Sequence, residues 1–545
     1  MIKTYERVKG KTALELLSDD EKKKYYCVSV NGHIRDLNYK MQSDEKLTLE
    51  YLDITNQETS RIYEASFRFL LIMALKSINS DYDARFFYNI SRGTFVRIYY
   101  RGKEMKVTPD FVDNLKPVIE DIVSANILFE RHKISIDEAI SKYKEEKLSD
   151  KLSLLKYRKE DFVHYYVATY KKLTYMDYLY TPLVPSSSYL KNYQLNYLAP
   201  GFIVQLPRPE LKGKIPSFVS EPKFENMLIS SSRWAEKVKL DTVYNINKFI
   251  KEYSPLGLIN ISETRINDML AKLGDEIENR KTVKLICIAG PSSSGKTSFA
   301  NRLTYELMSR GINAIRLSLD NFYFPRKNLP KNINVDSLEA FDIELLNKTL
   351  LDLMQGSSVD LPKFDFTTKD RTTLGKAKIS SDQVIILEGI HALNEKMTYL
   401  VSTSEKFLIY ISPQPQINVD YHTPIPITDI RLLRRISRDS RTRNTNASST
   451  LSYWHVVRDS EFKYIYPTQE NADFIFDSFI HYELCAIRNI VLPQLERITL
   501  DDPSYLTAQR LIHTVKYFVP ISSEDIPCNS LIREFIGGTS FKDAV

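Results

Sequence analysis

The sequence predicts a multidomain protein whose carboxyl-terminal half is an α/β domain, a parallel sheet with flanking helices, preceded by a β-rich module and an α+β domain. Its 545 residues exceed what one hydrophobic core organises. From about residue 281, apolar strand-like runs alternate with helical stretches through glycine turns, which is typical of a parallel sheet covered by helices. Residues 1–60 instead alternate short β-like runs, at 26–30 and 47–51, with polar turns.

These changes of pattern predict five segments: a β-rich module at 1–60, an α+β domain at 61–205, a linker and helical connection at 206–280, the α/β domain at 281–520 and a carboxyl-terminal tail at 521–545. Within 64–77 the apolar residues fall at helical spacing. We therefore expect a helix there whose core face carries Phe67, Leu70, Leu71 and Ala74.

Composition limits the classes of protein. Hydrophobic residues make up 43% and charged residues 26%, which is ordinary for a globular chain. A net charge of +6 is small for this length and argues against a dedicated nucleic-acid binder.

The first residues lack the apolar core of a secretory signal, and the longest apolar run, near 69–75, is far below the roughly 18 residues that span a bilayer. Four scattered cysteines suggest buried thiols in a reducing compartment. We expect a cytoplasmic protein without a membrane segment.

The strongest motif is a phosphate-binding loop. Residues 284–289 (KLICIA) suit a strand, 290–297 read GPSSSGKT, and an amphipathic helix follows to about 309. This is G-x-x-x-x-G-K-[ST] between a strand and a helix, and a chance glycine-rich turn rarely satisfies the motif and both flanks. Backbone N–H groups and the helix dipole would attract phosphates. The predicted nucleotide-binding residues are Gly290, Pro291, Ser292, Ser293, Ser294, Gly295, Lys296, Thr297 and Ser298.

Three classes of P-loop protein compete: a GTPase, a motor-like ATPase and a small-molecule kinase. No NKxD guanine-reading motif follows the loop, which argues against a GTPase, and the segments downstream favour a small-molecule kinase. The segments are 316–323 (RLSLDNFY), 334–342 (NVDSLEAFD), 361–371 (LPKFDFTTKDR) and 384–391 (VIILEGIH). The first contains Asp320 just after a strand, and the last places Glu388 at a strand end. Ligands bind at that edge of open α/β sheets, where a carboxylate can take the proton of an attacking hydroxyl. A helix cap is the alternative role for Asp320.

A basic run at 430–443 carries six arginines, Arg431, Arg434, Arg435, Arg438, Arg441 and Arg443. Such a run is usually a solvated helix face. In a phosphoryl-transfer enzyme it is instead typical of a lid, whose guanidinium groups neutralise the transferred phosphate and whose closure excludes water.

Taken in order, these segments resemble the uridine kinase and phosphoribulokinase family, and specifically its uridine kinase branch, over about residues 281–498. The resemblance implies a P-loop kinase fold that uses ATP, or GTP, and Mg²⁺ to phosphorylate the 5′-hydroxyl of uridine or cytidine. It implies Asp320 as the base and Lys296 on the phosphates, with Thr297 and Glu388 at the metal.

The same resemblance implies the acceptor contacts and the lid. Asp336 matches a residue that binds ribose hydroxyls, and Arg371 matches a basic residue near the acceptor. Asp342 suits a substrate contact or a helix cap equally. Among the arginines, the resemblance points to Arg431, Arg434 and Arg438 as the inward-facing members, with Arg434 and Arg438 in catalysis and Arg431 in substrate binding.

One departure concerns the base. Uridine kinases supply a tyrosine and a histidine to the pyrimidine, and this chain has Phe364 and Lys369 at those places. Stacking on Phe364 is kept while two polar contacts are lost, so we expect weak discrimination between pyrimidines.

The amino-terminal half resembles modules of threonyl-tRNA synthetases. Residues 1–60 resemble a β-grasp TGS domain, and 61–205 resemble the second additional domain of those enzymes. This arrangement, together with 530–538 (SLIREFIGG), matches a group of long nucleoside kinases. The synthetase HxxxH pair is replaced by Ala65 and Phe69, and 178–187 contain neither cysteine nor histidine, which removes the usual zinc ligands.

We therefore expect this half to bind RNA or a regulatory ligand, in a chain that forms a homo-oligomer. The alternatives to a uridine kinase are a P-loop kinase for another small hydroxyl acceptor, as in phosphoribulokinases, and a nucleotide-sensing RNA-binding protein with a vestigial kinase fold. A complete set of Lys296, Thr297, Asp320 and Glu388 favours catalysis, because a sensor needs no base.

Overall fold

The structure is a computed structural model that describes residues 1–545 except 146–147, 156–160, 179–180, 331–332, 334–335, 366–367, 381 and 542–545. Parts of the segments 178–187, 334–342, 361–371 and 521–545 therefore lie outside the described residues. Within the described part of the chain, no helix combines the length and hydropathy needed to cross a bilayer.

The amino-terminal module is a small sheet in which every described strand pair is antiparallel, in the order β1-β4-β2-β3. It has its own core, where the Tyr51 hydroxyl donates to the carbonyl of Ala13 at 3.1 Å. The predicted β-rich character is confirmed, and the β-grasp TGS assignment stays a prediction. The elements are β1 (Ile2–Tyr5), α1 (Asp19–Lys22), β2 (Tyr25–Val30), β3 (His33–Arg35) and β4 (Leu47–Asp53).

The second domain is built around one long buried helix, α2. The predicted core residues Phe67, Leu70, Leu71 and Ala74 are all 0% exposed, which confirms that part of the prediction. A five-stranded sheet contains β11-β12-β6-β5 with β7 on β6, and a second sheet is β10-β9-β8. The elements are α2 (Gln57–Ile78), β5 (Tyr82–Ile90), β6 (Gly93–Tyr100), β7 (Lys103–Met105), α3 (Pro109–Ser124), β8 (Glu130–Ser135), α4 (Ile136–Glu145), α5 (Ser149–Leu155), β9 (Phe162–Tyr170), β10 (Leu173–Tyr178), β11 (Gln194–Leu198) and β12 (Gly201–Gln205).

The stretch predicted as a linker and helical connection is packed into the molecule. Arg208 Nε donates to the carbonyl of Arg92 at 3.0 Å. Three helices follow, and Leu258 and Leu273 of the last one are buried in the same cluster as Ile286 of the carboxyl-terminal sheet. These helices are α6 (Pro222–Val238), α7 (Val243–Glu252) and α8 (Pro255–Asn279).

The parallel sheet predicted for the carboxyl-terminal half is confirmed, with strands in the order β14-β17-β13-β18-β21. The elements are β13 (Leu285–Ala289), α9 (Lys296–Met308), β14 (Ala314–Ser318), α10 (Ile343–Met354), β15 (Val359–Asp365), β16 (Asp370–Ala377), β17 (Val384–Glu388), β18 (Lys406–Ser412), β19 (Asn418–Asp420), β20 (Thr423–Pro424), α11 (Ile427–Thr442), α12 (Ala447–Tyr464), β21 (Phe474–Asp477), α13 (Glu483–Leu495), α14 (Tyr505–Lys516) and α15 (Arg533–Ile536).

Residues 521–541, which the sequence suggested as a tail, pack against this domain. Leu531, Ile532 and Phe535 are 0% exposed and belong to the core cluster of the sheet and its helices. Apolar side chains every three to four residues in this short stretch leave water together. This stretch is therefore part of the core of the kinase half up to Ile536.

One hydrophobic cluster crosses the boundary between the two halves. It joins Tyr88, Phe95 and Ile203 of the second domain to Leu228 of α6 and Leu319 beside the parallel sheet. The halves therefore share a core rather than only a surface contact.

We expect Leu228→Ala to lower the free energy of unfolding by about 2–5 kcal/mol, because a fully buried leucine in a close-packed core leaves a cavity. Val219, which is 58% exposed, offers the matched control, since Val219→Ala should change stability by less than about 0.5 kcal/mol. Denaturant melts of both variants measure the difference. Equal stability of the two variants would contradict a shared core at this point.

Candidate active site

The phosphate-binding loop connects β13 to α9 and folds around its lysine. Lys296 Nζ donates to the carbonyls of Gly290 and Pro291, at 3.0 and 3.2 Å. Gly295 has φ +88°, a conformation that glycine adopts without strain. An added Cβ at Gly290 would lie 2.0 Å from the carbonyl oxygen of Ile411, so a side chain does not fit there.

Several polar atoms of the loop are left without partners. The hydroxyls of Ser293, Ser294 and Ser298 are buried and have no hydrogen-bond partner among the residues that the structure describes. Buried hydroxyls are rarely left unpaired in folded proteins. A ligand with several acceptor oxygens, such as a chain of phosphates, would satisfy them.

Two acids lie at the carboxyl edge of the sheet next to this loop. Glu388 is the last residue of β17, and the strand registers pair it with Ile288 of β13 and Ser318 of β14. Asp320 follows Ser318 by two residues, and its N–H donates to the Ser318 hydroxyl at 3.4 Å. Glu388 therefore ends the strand next to β13, and Asp320 follows the strand one position further along the sheet.

These groups share one electrostatic environment. Burial, reinforced by the charge of Asp320, raises the pKa of Glu388 to about 7. Burial also raises the pKa of Asp320, while Lys296 and Arg443 oppose the rise. Burial lowers the pKa of Lys296 against the opposing effect of Glu388, Glu534 and Asp320. The site holds one ammonium group among several carboxylates, and such shifts are typical of functional clefts.

An aromatic cluster lies beside Asp320. The rings of Tyr323 and Phe341 stack at 4.1 Å, and the ring of Phe364 lies 5.5 Å from that of Tyr323. Burial is the main cause of the raised pKa of Asp320, and the nearby charge of Asp336 raises it further. The backbone carbonyl of Asp336 lies 2.7 Å from His391 Nε2. The site thus combines a carboxylate with flat apolar surface.

The other predicted acceptor residues have structural partners or lie outside this cluster. Arg371 Nη1 contacts Asp342 at 2.9 Å, and Nη2 donates to the carbonyl of Tyr323 at 2.8 Å. Asp342 caps α10, accepting from the N–H of Leu345 at 3.1 Å, so the cap interpretation of Asp342 is confirmed. Lys369 is exposed in the turn between β15 and β16, with φ +56°.

The side chains of Arg431 and Arg434 are buried behind the phosphate-binding loop and do not form a lid over it. Both side chains are 0% exposed and pair with buried carboxylates, Arg431 with Glu461 and Arg434 with Glu483. Arg431 Nε donates to the carbonyl of Ser292 at 2.9 Å, and Arg434 Nη1 lies 3.4 Å from the carbonyls of Ser293 and Ser294. A buried guanidinium requires a carboxylate and further acceptors. The two glutamates supply the carboxylates, and the loop carbonyls supply the further acceptors. This placement differs from the expectation of inward-facing lid residues, with Arg434 in catalysis and Arg431 in substrate binding.

Other arginines of the basic run 430–443 lie nearer the open side of the site. Arg438 Nη2 donates to the Asp439 carboxylate at 2.8 Å. Burial is the main cause of the lowered pKa of Lys296, and the charge of Arg438 lowers that pKa further. Arg443 is exposed and acts on the pKa of Asp320, and Arg435 Nη1 donates to the Ser292 hydroxyl at 3.0 Å.

Sequence reasoning did not select Arg443 among the six arginines, and it missed Glu461 and Glu483. Isolated acids without fixed spacing carry no motif, and the burial of Arg431 and Arg434, which requires acidic partners, is visible only in the structure.

The predicted metal ligands suit magnesium. Thr297 begins α9 beside Lys296, and Glu388 ends the neighbouring strand. Among the described residues no cluster of three or more histidine, cysteine, aspartate or glutamate side chains could hold a metal by itself. One hydroxyl and one carboxylate are what Mg²⁺ takes from a protein when substrate phosphates and water supply the remaining oxygens. The residues present therefore fit the ion.

The model of the Phosphoribulokinase / Uridine kinase family matches residues 285–484. The uridine kinase of Staphylococcus aureus strain JH9 is 32% identical over 200 residues, 36% of this chain and 87% of that enzyme. The chain belongs to the phosphoribulokinase and uridine kinase family. Its carboxyl-terminal half is a P-loop phosphotransferase.

Two solved structures resemble this family member more distantly. A "possible uridine kinase" from Bacillus stearothermophilus is 20% identical, with 39% of this chain and 100% of that chain covered and a TM-score of 0.26. A D-glycerate 3-kinase from Cryptococcus neoformans var. grubii is 15% identical, with 44% and 77% covered and a TM-score of 0.19. The family model leaves residues 1–284 unmatched, so the TGS and synthetase-like assignments stay predictions.

We expect Glu388→Gln to raise the free energy of unfolding at pH 8 by up to about 3 kcal/mol and to leave it nearly unchanged at pH 5. The pKa of Glu388 is raised from 4.5 to about 7, so its favourable contribution is present at low pH and is lost as pH rises toward 7. Melts without nucleotide or Mg²⁺ at both pH values measure this. Glu395→Gln, at an exposed position, is the control, and an equal effect of Glu388→Gln at both pH values would contradict the assignment.

Proposed function

We propose that the protein transfers the γ-phosphate of ATP, or GTP, to the 5′-hydroxyl of uridine, and of cytidine, giving the nucleoside monophosphate. The observation that carries this proposal is the convergence of Lys296, Asp320 and Glu388 at the carboxyl edge of the parallel sheet, next to the ring of Tyr323. Family membership and the unpaired loop hydroxyls support it.

In the proposed reaction Asp320 is the base. Its carboxylate takes the proton of the 5′-hydroxyl as the oxygen–phosphorus bond forms, while the bond from the γ-phosphorus to the bridging oxygen breaks and the nucleoside diphosphate leaves. A pKa raised by burial makes Asp320 a better proton acceptor than an exposed aspartate. The charge of Lys296 favours the ionised form of the Asp320 carboxyl and so opposes the rise of its pKa.

The cations divide into two groups in this proposal. Lys296 contacts the phosphates, and Arg438, with Arg443, neutralises charge on the open side, as electrostatic stabilisation of phosphoryl transfer requires. Arg431 and Arg434 keep the loop in shape from behind through the carbonyls they bind. Thr297 and Glu388 would hold Mg²⁺, which neutralises phosphate charge when bound.

The acceptor side supports a flat ring next to a sugar. Stacked aromatic rings offer a face for a pyrimidine, and Phe364 belongs to that cluster. Asp336 is proposed to bind ribose hydroxyls. Arg371 is proposed to hold the backbone of Tyr323 in place. Lys369, exposed in the β15–β16 turn, is proposed to meet the acceptor only from the rim of the site.

A kinase for another small hydroxyl acceptor remains the second candidate, because Phe364 and Lys369 replace the pair that reads the pyrimidine in the family's uridine kinases. Phosphorylation assays with a panel of nucleosides and phosphorylated sugars, each with ATP and GTP, separate the two. Binding of RNA or a regulatory ligand by the amino-terminal half, and homo-oligomer formation, stay predictions.

We expect Asp320→Asn to reduce kcat by at least about a hundredfold while changing the Kd for ATP by no more than a few-fold, because asparagine keeps the shape but accepts no proton. Lys296→Ala should instead weaken ATP binding and turnover together. Isothermal titration and a coupled kinase assay measure both. Substantial turnover in Asp320→Asn would remove Asp320 from the role of base.

A second expectation concerns the acceptor. The ratio of kcat/KM for uridine and cytidine should stay within about tenfold, since a site that lacks polar contacts to the base loses its strongest source of discrimination. Phe364→Leu should lower kcat/KM for both nucleosides to a similar extent by removing the stacking surface, whereas Leu374→Ala, at an exposed position of the same hairpin, should not. A steep preference for one pyrimidine would show that other residues read the base.

A further inference from the structure

The end of the chain contacts the phosphate-binding loop directly. We call residues 530–537 the carboxyl-terminal strap. Its backbone is held by side chains of the arginine helix α11: Ser437 Oγ donates to the carbonyl of Phe535, and Arg441 Nη2 donates to the carbonyl of Glu534, both at 2.8 Å. The guanidinium of Arg434 lies 4.9 Å above the ring of Phe535. The strap therefore packs on the same arginine that binds the loop carbonyls.

The strap brings one carboxylate to the start of α9. Glu534 Oε2 accepts from the backbone N–H of Ser298 at 3.4 Å, in a buried setting. Ser298 is the third residue of α9, so its N–H is one of the groups at a helix start that have no partner within the helix. In a P-loop these N–H groups are the ones that receive phosphate oxygens. An anionic side chain of the protein thus occupies a donor that the nucleotide needs.

The charge of Glu534 also reaches the reacting end of the site. It acts on the pKa of Lys296 together with Glu388 and Asp320. Glu388 and Asp320 have roles in the proposed reaction, as metal ligand and as base, and Glu534 has none there. Two anions cannot both accept from one N–H group, and at close range they repel each other. Phosphate binding therefore requires the Glu534 carboxylate to move away from Ser298.

We propose that Glu534 sets the affinity of the loop for the phosphate donor, by occupying the Ser298 N–H until a phosphate oxygen displaces it. This inference rests on the proposed function only in assuming that the loop binds a nucleotide. The strap backbone is fixed through carbonyl groups that do not involve the carboxylate. The Glu534 side chain can therefore turn away while the strap stays in place.

The test is direct binding, without turnover. Isothermal titration of ATP, ADP and adenosine is carried out on the full-length wild type and on Glu534→Gln and Glu534→Met, which keep the side-chain length and remove the charge. We expect both variants to bind ATP and ADP about threefold to tenfold more tightly, since one like-charge contact with the phosphates is removed. Adenosine has no phosphate, so its affinity should not change.

Glu524→Gln is the matched control, because Glu524 lies ten residues earlier in the same terminal region and is exposed. It should bind all three ligands like the wild type. The inference is overturned if a folded Glu534 variant binds ATP no more tightly than the wild type, or if adenosine gains as much as ATP. Failure of the wild type itself to bind any nucleotide would overturn the proposed function, and the inference with it.

Discussion

Two buried ion pairs behind the phosphate-binding loop support the rest of the site. Arg431 with Glu461 and Arg434 with Glu483 place four charges at 0–1% side-chain exposure. Removing such charges from water is costly, and ion pairing alone often fails to offset the cost. Here each guanidinium also binds loop carbonyls, so its remaining donors are satisfied. The pairs thereby hold the carbonyl groups of the loop in place.

This arrangement ties the loop to elements far along the chain. Glu461 lies on α12 and also accepts from the N–H of Ser292 at 3.2 Å, while Glu483 begins α13. The helix that carries both arginines is anchored in turn at Asp429, which Arg61 of α2 contacts at 3.1 Å. The amino-terminal half therefore contacts the helix whose arginines bind the loop carbonyls.

Local patterns made part of this structure predictable. The loop, Asp320 and Glu388 stand at fixed positions relative to strand ends, and the alternation of strands and helices then places them on one sheet edge. The direction in which an arginine points was not predictable, because helical spacing gives the face of a helix but not its partner. The partners of Arg431 and Arg434 lie 30 and 49 residues further along the chain. No local pattern connects residues at that separation.

The position of Glu534 shows why the kinase half is more than its matched domain. The family model ends at residue 484, so the loop and its acids lie inside the matched range while the strap lies outside it. Glu534 nevertheless accepts from a loop N–H and acts on the pKa of Lys296. The chemistry of the site can follow the family through shared residues, whereas the electrostatics that control phosphate binding include a charge that the matched domain does not contain. Nucleotide affinity in this chain therefore depends on residues that the family model does not cover.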